Sequence, residues 1–340
     1  MPESGSNLRV VDIARLSSVS RSTVSRVINN HPNVKESTRQ RVLEIIKQYE
    51  FKPNLAARAL VSNRTRVIGI LIPYSVSDIF TDPFFPILIQ GITTAANRQN
   101  YSVTLWLSSS EVEKDEFYDQ VLGNSLTDGI IITSAVVDYP LLEKLEDQGK
   151  PCVFIGRPIV EQEHVNFVDI ETVQGAEMLV QHLIDRGRQR IGFIPGLQLL
   201  PATHDRQTGY LQTLEKAGIP FDPALIAPPG DFREQGGYES MQVLLEQKVD
   251  AVFAASDVMA MGAIRAIQAA NLRVPEDIAV GGFDNIPLAA IHNPPLTTIN
   301  QPISQLGAAG TTGLIQLLEH TAEAPIHEVL PVELVVREST

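Results

Sequence analysis

The chain has 340 residues, 44% of them apolar and 20% charged; this is the make-up of an ordinary folded protein too long for one hydrophobic core, so two or three domains are expected. No run approaches the roughly 18 apolar residues that span a bilayer, and the first residues hold no signal-peptide apolar core, which argues against a membrane-spanning or exported chain and predicts a cytoplasmic one. The net charge of −13 hides an asymmetry: residues 1–66 carry 12 Lys+Arg against 5 Asp+Glu, the remainder 15 against 35, and a basic head on an acidic body points to a nucleic-acid partner for the head alone.

The head reads as short helices. In "VVDIARLSS" followed by "VSRSTVSRVINN", Ile13 and Ala14 pack a first helix, Val19 fills the turn, and Ser20 caps a second helix whose Val24, Val27 and Ile28 share one face. This is helix-turn-helix spacing. The opposite face of the second helix offers Arg21, Ser22, Thr23, Arg26 and Asn29, types that hydrogen-bond base edges or phosphates. A third helix, "STRQRVLEIIKQYEF", places Val42, Ile45, Ile46 and Tyr49 at i, i+3, i+4 and i+7. Next comes "PNLAARALVSNRTR", where Asn54 can cap a helix that is too short to hold by itself in water.

Beyond Arg66 the pattern changes to apolar strands alternating with helices. Strands are predicted at "VIGILIP", "YSVTLWLS", "DGIIITSA", "PCVFIG", "RIGFIPG", "DAVFAAS" and "DIAVGGFD", and helices at "FPILIQGITTAANRQN", "ETVQGAEMLVQHLIDRG", "RQTGYLQTLEKAG" and "VMAMGAIRAIQAANL". Continuous apolar strands joined by helices imply parallel sheets covered on both faces, and the length left over implies two of them. Cys152, the single cysteine, falls within one such run and reads as packing. Two lobes with a cleft between them make a natural small-molecule site. Phosphate-binding glycine loops, metal-ligand histidine spacing and a nucleophile elbow are all missing from the sequence, so no cofactor, metal or catalytic residue is expected and the chain reads as a binder. Asp284 at the end of a strand, Arg206 opening a helix and Arg157 after "VFIG" suit the planar polar contacts that hold sugar hydroxyls.

The order and spacing of "TVSRVIN", "KPNLAARAL", "DPFFPILIQGI", "FIGRP", "HLIDRGRQRIGFIPG", "AASDVMAMGAIRAI", "GFDNIPLAA" and "PPLTTINQP" resemble the LacI/GalR family of sugar-responsive bacterial repressors along essentially the whole chain. The resemblance implies a helix-turn-helix domain over 1–52, a hinge helix and linker over 53–66 and an effector-binding domain over 67–340. That last part is implied to be a two-lobed periplasmic-binding-protein-like α/β body, one lobe about 67–166 and 298–325, the other about 167–297 and 326–340. It also implies a homodimer on a pseudo-palindromic DNA operator. Arg21 and Ser22 would make the main base contacts, Asn54 and Ala57 would belong to the hinge contacts, and Leu60 would wedge into the minor groove. Around the cleft it places Arg206 and Asp284 as the most regular effector contacts, with Phe84, Phe85, Arg157, Asp169, Phe232, Ser256 and Asp257 about them.

Plainer explanations exist for several of these residues. Leu60, Phe84 and Phe85 fit a core, Asp257 a helix cap, and Arg206 with Asp284 a structural ion pair. The sequence departs from the family where Ser18 replaces the usual turn glycine and where Arg9 and Lys35 replace hydroxyl caps. Arg157, Leu200 and Ala202 depart from the purine-sensing branch and argue against a purine, while "IGRP" resembles branches that sense glucosides and related sugars and implies a mono- or oligosaccharide, or its phosphate. The chain stops at "ELVVREST" without a leucine heptad tail, so dimers are expected and not tetramers. A transport-type sugar-binding protein and a sugar-modifying enzyme are the alternatives, opposed by the basic head and by the missing catalytic constellation.

Overall fold

The computed structural model describes residues 8–28, 32–51, 64–108, 114–133, 139–158 and 164–340. The chain divides into two units, Met1–Arg66 and Val67–Thr340.

The first unit contains α1 (Val10–Leu16), α2 (Arg21–Ile28) and α3 (Glu36–Gln48). Ile13, Ala14, Val24, Val27, Val42 and Phe51 form its buried core, with Val10, Val19, Ile28, Val34, Ile45 and Ile46 packed around them. The apolar spacing therefore closes a core as the sequence predicts, with one change. Tyr49 is not in that cluster but caps the end of α3 half-buried. The chain reverses through Glu50 at φ +48°, and the Phe51 N–H bonds back to the Ile46 carbonyl at 2.9 Å, so Phe51 supplies the last aromatic of the core.

Among the described residues of the second unit all seven predicted strands form, together with four others of three or four residues. β1 (Val67–Ser75), β2 (Ser102–Ser108), β3 (Gly129–Thr133), β4 (Cys152–Ile155), β5 (Phe167–Ile170) and β10 (His327–Leu330) build a parallel sheet in the order β10-β5-β4-β3-β1-β2. β6 (Ile191–Ile194), β7 (Ala251–Ala254), β8 (Ala279–Asp284), β9 (Thr297–Asn300) and β11 (Glu333–Val335) build a second sheet in the order β11-β9-β8-β7-β6, parallel except for β11. The lobe boundaries expected from the sequence need correction. β5 and β10, assigned to the second lobe, join the first sheet through pairings such as Phe154 with Phe167 and His327 with Phe167. β9, most of it assigned to the first lobe, joins the second sheet through Gly281 with Thr297. The chain thus crosses between sheets after Ile170, after Asn300 and after Leu330.

Burial on both faces explains the unbroken apolar strands. In β1, Ile68, Ile70 and Ile72 enter one hydrophobic cluster while Leu71 enters another with Tyr118, Ile130, Ile132 and Phe154, the alternation that a pleated strand imposes. The main helices are α4 (Val76–Thr81), α5 (Phe84–Arg98), α6 (Lys114–Leu122), α7 (Tyr139–Gln148), α8 (Thr172–Asp185), α9 (Pro201–Lys216), α10 (Glu234–Glu246), α11 (Asp257–Ala269), α12 (Pro287–Ile291) and α13 (Ile303–Leu318). α5 and α13 pack together beside the first sheet, while α8 and α9 pack together beside the second. Among the described residues no helix is long and apolar enough to cross a membrane.

Candidate DNA-reading helix and ligand cleft

In the head, the start of α2 is fixed by Ser20. Its Oγ accepts the Thr23 N–H at 3.1 Å and lies 2.8 Å from the Thr23 hydroxyl and 2.7 Å from that of Ser22, which makes it the predicted N-cap. The tight turn before it runs through Ser18 at φ +52°, the left-handed conformation that glycine adopts without cost. Ser17 is buried and donates to the Ile13 carbonyl at 2.5 Å, and the Val19 N–H reaches the Ala14 carbonyl at 3.0 Å. Arg9 gives α1 no hydroxyl cap; its own N–H is taken instead by the Asp12 carboxylate at 2.9 Å. Lys35 gives α3 no side-chain cap. With Val24 and Val27 turned into the core, Arg21, Ser22 and Arg26 are exposed and Thr23 is half-buried. Asn29, Asn54, Ala57 and Leu60 lie outside the described residues.

In the body, five of the predicted residues, Arg157, Asp169, Arg206, Asp257 and Asp284, are linked electrostatically to one another and lie in or after strands of both sheets; the C-terminal ends of parallel strands are the usual place for a ligand. Arg206 on α9 is only 5% exposed. Its Nη1 donates to the Ala255 carbonyl beyond β7 at 2.6 Å, its Nη2 lies 3.7 Å from Asp284 Oδ1, and its guanidinium stacks 4.0 Å over the Phe283 ring. Its Nε is buried without a hydrogen-bond partner, so at least one of its five donors is left for a ligand. Asp284 ends β8 at φ +120°, a backbone state that costs a side-chain-bearing residue about 1–3 kcal/mol and persists only when its surroundings impose it. Those surroundings include the Gln301 amide, which donates to Asp284 Oδ1.

Asp257 opens α11 wholly buried, accepting from Thr298 Oγ1 at 2.5 Å and from the Ile286 N–H at 2.9 Å. Ser256 caps that helix by accepting the Met259 N–H at 3.3 Å. Ser256, and not Asp257 as the sequence suggested, is therefore the helix cap; the Asp257 carboxylate is spent on Thr298 and Ile286 instead.

Arg157 and Asp169 join this group from the first sheet, with Phe84 and Phe85 on α5 and Phe232 between β6 and β7 described beside them. Gly156 at φ +85° turns the chain after β4, and Arg157 Nη2 then meets Asp205 Oδ2 of α9 at 2.5 Å. Asp169 in β5 is half-buried and accepts the Ile170 N–H at 2.9 Å. Phe84 and Phe85 meet edge to face at 5.4 Å, Phe85 in the core and Phe84 half-buried beside it. Phe232, at φ +61°, lays its ring against Gly196, where any Cβ would collide with it.

The electrostatics follow from burial. Desolvation pushes the Asp284 carboxyl well above its usual range, against the pull of Arg206, and lowers Arg206 against the pull of Asp284, Asp257 and Asp169. Burial likewise raises Asp257 to about 7, opposed by its bond from Thr298, and raises Asp169, opposed by the Ile170 N–H and the Arg157 guanidinium. The site holds fixed, partly unsatisfied polar groups from both sheets. Among the described residues no group of His, Cys, Asp or Glu is placed to hold a metal ion. Sequence reasoning missed Asp205, Phe283, Thr298 and Gln301 as partners of the predicted residues. Asp205 adjoins Arg206 in "HDRQ" and Gln301 lies in "INQP", but nothing local tells which side chain each one meets.

A helix-turn-helix unit joined to a two-sheet ligand-binding body defines a ligand-linked DNA-binding regulator. A model of bacterial regulatory proteins of the lacI family matches residues 10–54, and one of a periplasmic binding protein-like domain matches residues 180–340. The chain is 36% identical over 330 residues to the HTH-type transcriptional regulator CelR of Thermobifida fusca, covering 96% of each chain. It is 34% identical to the ribose operon repressor of Halalkalibacterium halodurans, covering 97% of this chain and 96% of that one. Among solved structures, a transcriptional regulator CelR–cellobiose complex superposes with a TM-score of 0.78 at 34% identity, over 98% of this chain and 100% of that one. A lac repressor dimer bound to operator and the anti-inducer ONPF superposes with a TM-score of 0.85 at 26% identity, over 98% and 99%. The chain belongs to the lacI family of bacterial regulatory proteins: it is a DNA-binding transcriptional regulator, and the family is not one of enzymes.

Proposed function

We propose that the protein is a homodimeric repressor that binds a pseudo-palindromic operator and senses a sugar or sugar derivative in the cleft between its two sheets. The observation that carries this reading is the buried Arg206–Asp284 pair with its leftover Arg206 Nε, coupled electrostatically to Asp169 of the other sheet and through it to Arg157. Rigid, desolvated polar groups of this kind exchange hydrogen bonds with ligand hydroxyls at small reorganisation cost. Relatives support the class of ligand: the CelR structure is a complex with cellobiose, and a LacI-family regulator from Enterococcus faecium, 31% identical with a TM-score of 0.71, holds ribose. Phe84, Phe232 and Arg157 then cover and orient the ligand, while Phe85, Ser256 and Asp257 hold the walls in place.

On the DNA side, Arg21 and Ser22 read base edges, with Ser20, Thr23, Arg26 and Asn29 on bases or phosphates. Residues 53–66 act as the hinge, with Leu60 as a minor-groove wedge beside Asn54 and Ala57. Two copies place two heads on a two-fold axis, and ligand-driven motion between the lobes alters whether both heads engage.

Titrating an operator library at several salt concentrations, with and without a panel of sugars, tests the whole reading. Affinity for a two-fold-symmetric site should fall steeply with salt, as several phosphate contacts require, and at least one sugar should shift it. Binding that prefers no sequence at any salt would sink the repressor reading.

A further inference from the structure

We infer that a hydrogen-bond chain of four side chains, Arg337–Asn285–Asn300–Glu333, carries effector occupancy from the cleft to the places where the chain crosses between the two sheets, with Asn285 as its positioning residue. The inference rests on the reading of the cleft as an effector site and adds the route by which occupancy leaves that site. Among the described strands the chain crosses between the sheets after Ile170, after Asn300 and after Leu330, so movement of one lobe against the other is absorbed at those crossings. Side chains that tie a crossing to the cleft decide whether a ligand is felt across the body.

Asp284 stands at that junction. On one side it lies in register with Asn300, the last residue of β9, and Asn300 in turn lies in register with Glu333, the first residue of β11. The Gln301 amide, one residue into the crossing, donates to Asp284 Oδ1. Asn285 follows Asp284 at φ +56°, a left-handed state that asparagine tolerates better than most residues with a side chain. Its Oδ1 accepts from Arg337 Nη2 at 2.7 Å and its Nδ2 donates to Asn300 Oδ1 at 2.9 Å. Asn300 Nδ2 then donates to Glu333 Oε1 at 3.0 Å.

The direction of this chain is fixed from both ends, because a guanidinium only donates and a carboxylate only accepts. Neither amide can turn over without setting donor against donor and acceptor against acceptor. Arg337 is itself anchored: its Nη1 donates to the Leu296 carbonyl at 2.7 Å and its N–H to Thr297 Oγ1 at 2.9 Å. The remaining crossing is joined through the main chain, where the Glu171 N–H donates to the Leu330 carbonyl at 3.0 Å. A ligand that draws on Asp284 turns the Asp284–Asn285 corner, which either breaks the Asn285–Asn300 bond or takes Asn300 and Glu333 along. Asn285 and Asn300 are half-buried, and an amide that forfeits its partner there is left unsatisfied, which favours the second course.

Three substitutions cut the chain at different points. Asn285→Gly removes the amide and keeps a residue at ease at positive φ, Asn300→Ala cuts the middle, and Glu333→Ala removes an exposed end where folding is not at stake. Operator affinity of the full-length protein and each variant is measured on a site selected from a library, with and without saturating mono- and disaccharides, cellobiose and ribose among them. Calorimetry without DNA gives the sugar affinity. Each variant should keep its sugar affinity while the sugar-driven shift in operator affinity shrinks by about 2- to 30-fold. Glu333→Gln, whose carbonyl still accepts from Asn300, should recover most of the shift. Combining Asn285→Gly with Asn300→Ala should cost no more than the larger single loss, within about twofold. A shift of parental size in Asn300→Ala overturns the inference. So does a fall in sugar affinity as large as the fall in the shift, which would make the chain a support of the site and not a route out of it. If no sugar moves the operator affinity of the parent, the sugar reading itself fails and the inference goes with it.

Discussion

Arg21, Ser22 and Arg26 in the head are exposed on a helix whose other face is core, whereas Arg206, Asp284 and Asp257 in the body are almost wholly buried and bonded to protein groups. The contrast follows from what each partner demands. Operator DNA is large, hydrated and charged, and side chains that remain in water meet it at little desolvation cost. A small ligand makes few contacts, so each must be preorganised, which means burying charge and holding a strained backbone at Asp284. On the roles proposed above, ligand binding is placed on buried groups and a positive-φ backbone, and DNA reading on exposed side chains.

Single substitutions can break this contrast, and the largest effect belongs to the body. Arg206→Ala removes one partner of a buried pair, so the body should lose about 3–5 kcal/mol of stability together with its response to effector. Denaturant unfolding monitored alongside effector titration measures both. A variant as stable as the parent would mean that the pair is not the desolvated anchor described above. In the head, Arg21→Ala should leave the unfolding midpoint unchanged and weaken specific operator binding by about 1–3 kcal/mol. If non-specific DNA binding falls by the same factor, Arg21 is a phosphate contact and not a base reader.

Much of this was legible in the sequence. The seven strands first recognised are apolar runs such as "GIIIT", buried at every position, and the head's core follows from spacing alone. β10 was hidden because "HEVL" is an edge strand with three exposed positions and one half-buried, so its pattern carries no apolar signal. β5, β9 and β11 are only three or four residues long, and β9 is polar as well, while α13 was missed because "GAAGTTG" within it dilutes the apolar periodicity of a buried helix. The site was legible as a set of residues but not as a set of contacts. Arg157 lies 48 residues before Asp205, and Asp284 lies 17 before Gln301. Only chain crossings between the sheets bring Arg157 to Asp205, and no local pattern encodes those crossings.

The smallest expected effect is also the one with a defined sign. Asp257 titrates near 3.8 when unburied and at about 7 when folded, so between those values the folded state binds the extra proton. Its contribution to stability is most favourable near pH 4 and is lost progressively as pH rises toward 7. Asp257→Asn keeps a similar shape, with its carbonyl able to accept from Ile286 and its amide able to donate to Thr298, while removing the titration. At pH 5 the unfolded parent has already given up its proton while the folded parent keeps it, so the variant should already be favoured there. Its advantage should grow up to about pH 7, where the folded carboxyl ionises as well, and level off beyond. The surface pair Arg273–Asp277 does not obscure this: it holds Asp277 at about 2, so its stabilisation is lost only as pH falls below 4. Unfolding free energies for both proteins at pH 5, 6, 7 and 8 provide the check. A difference that stays constant across that range would mean that the Asp257 carboxyl ionises normally and that Thr298 and Ile286 offset its burial.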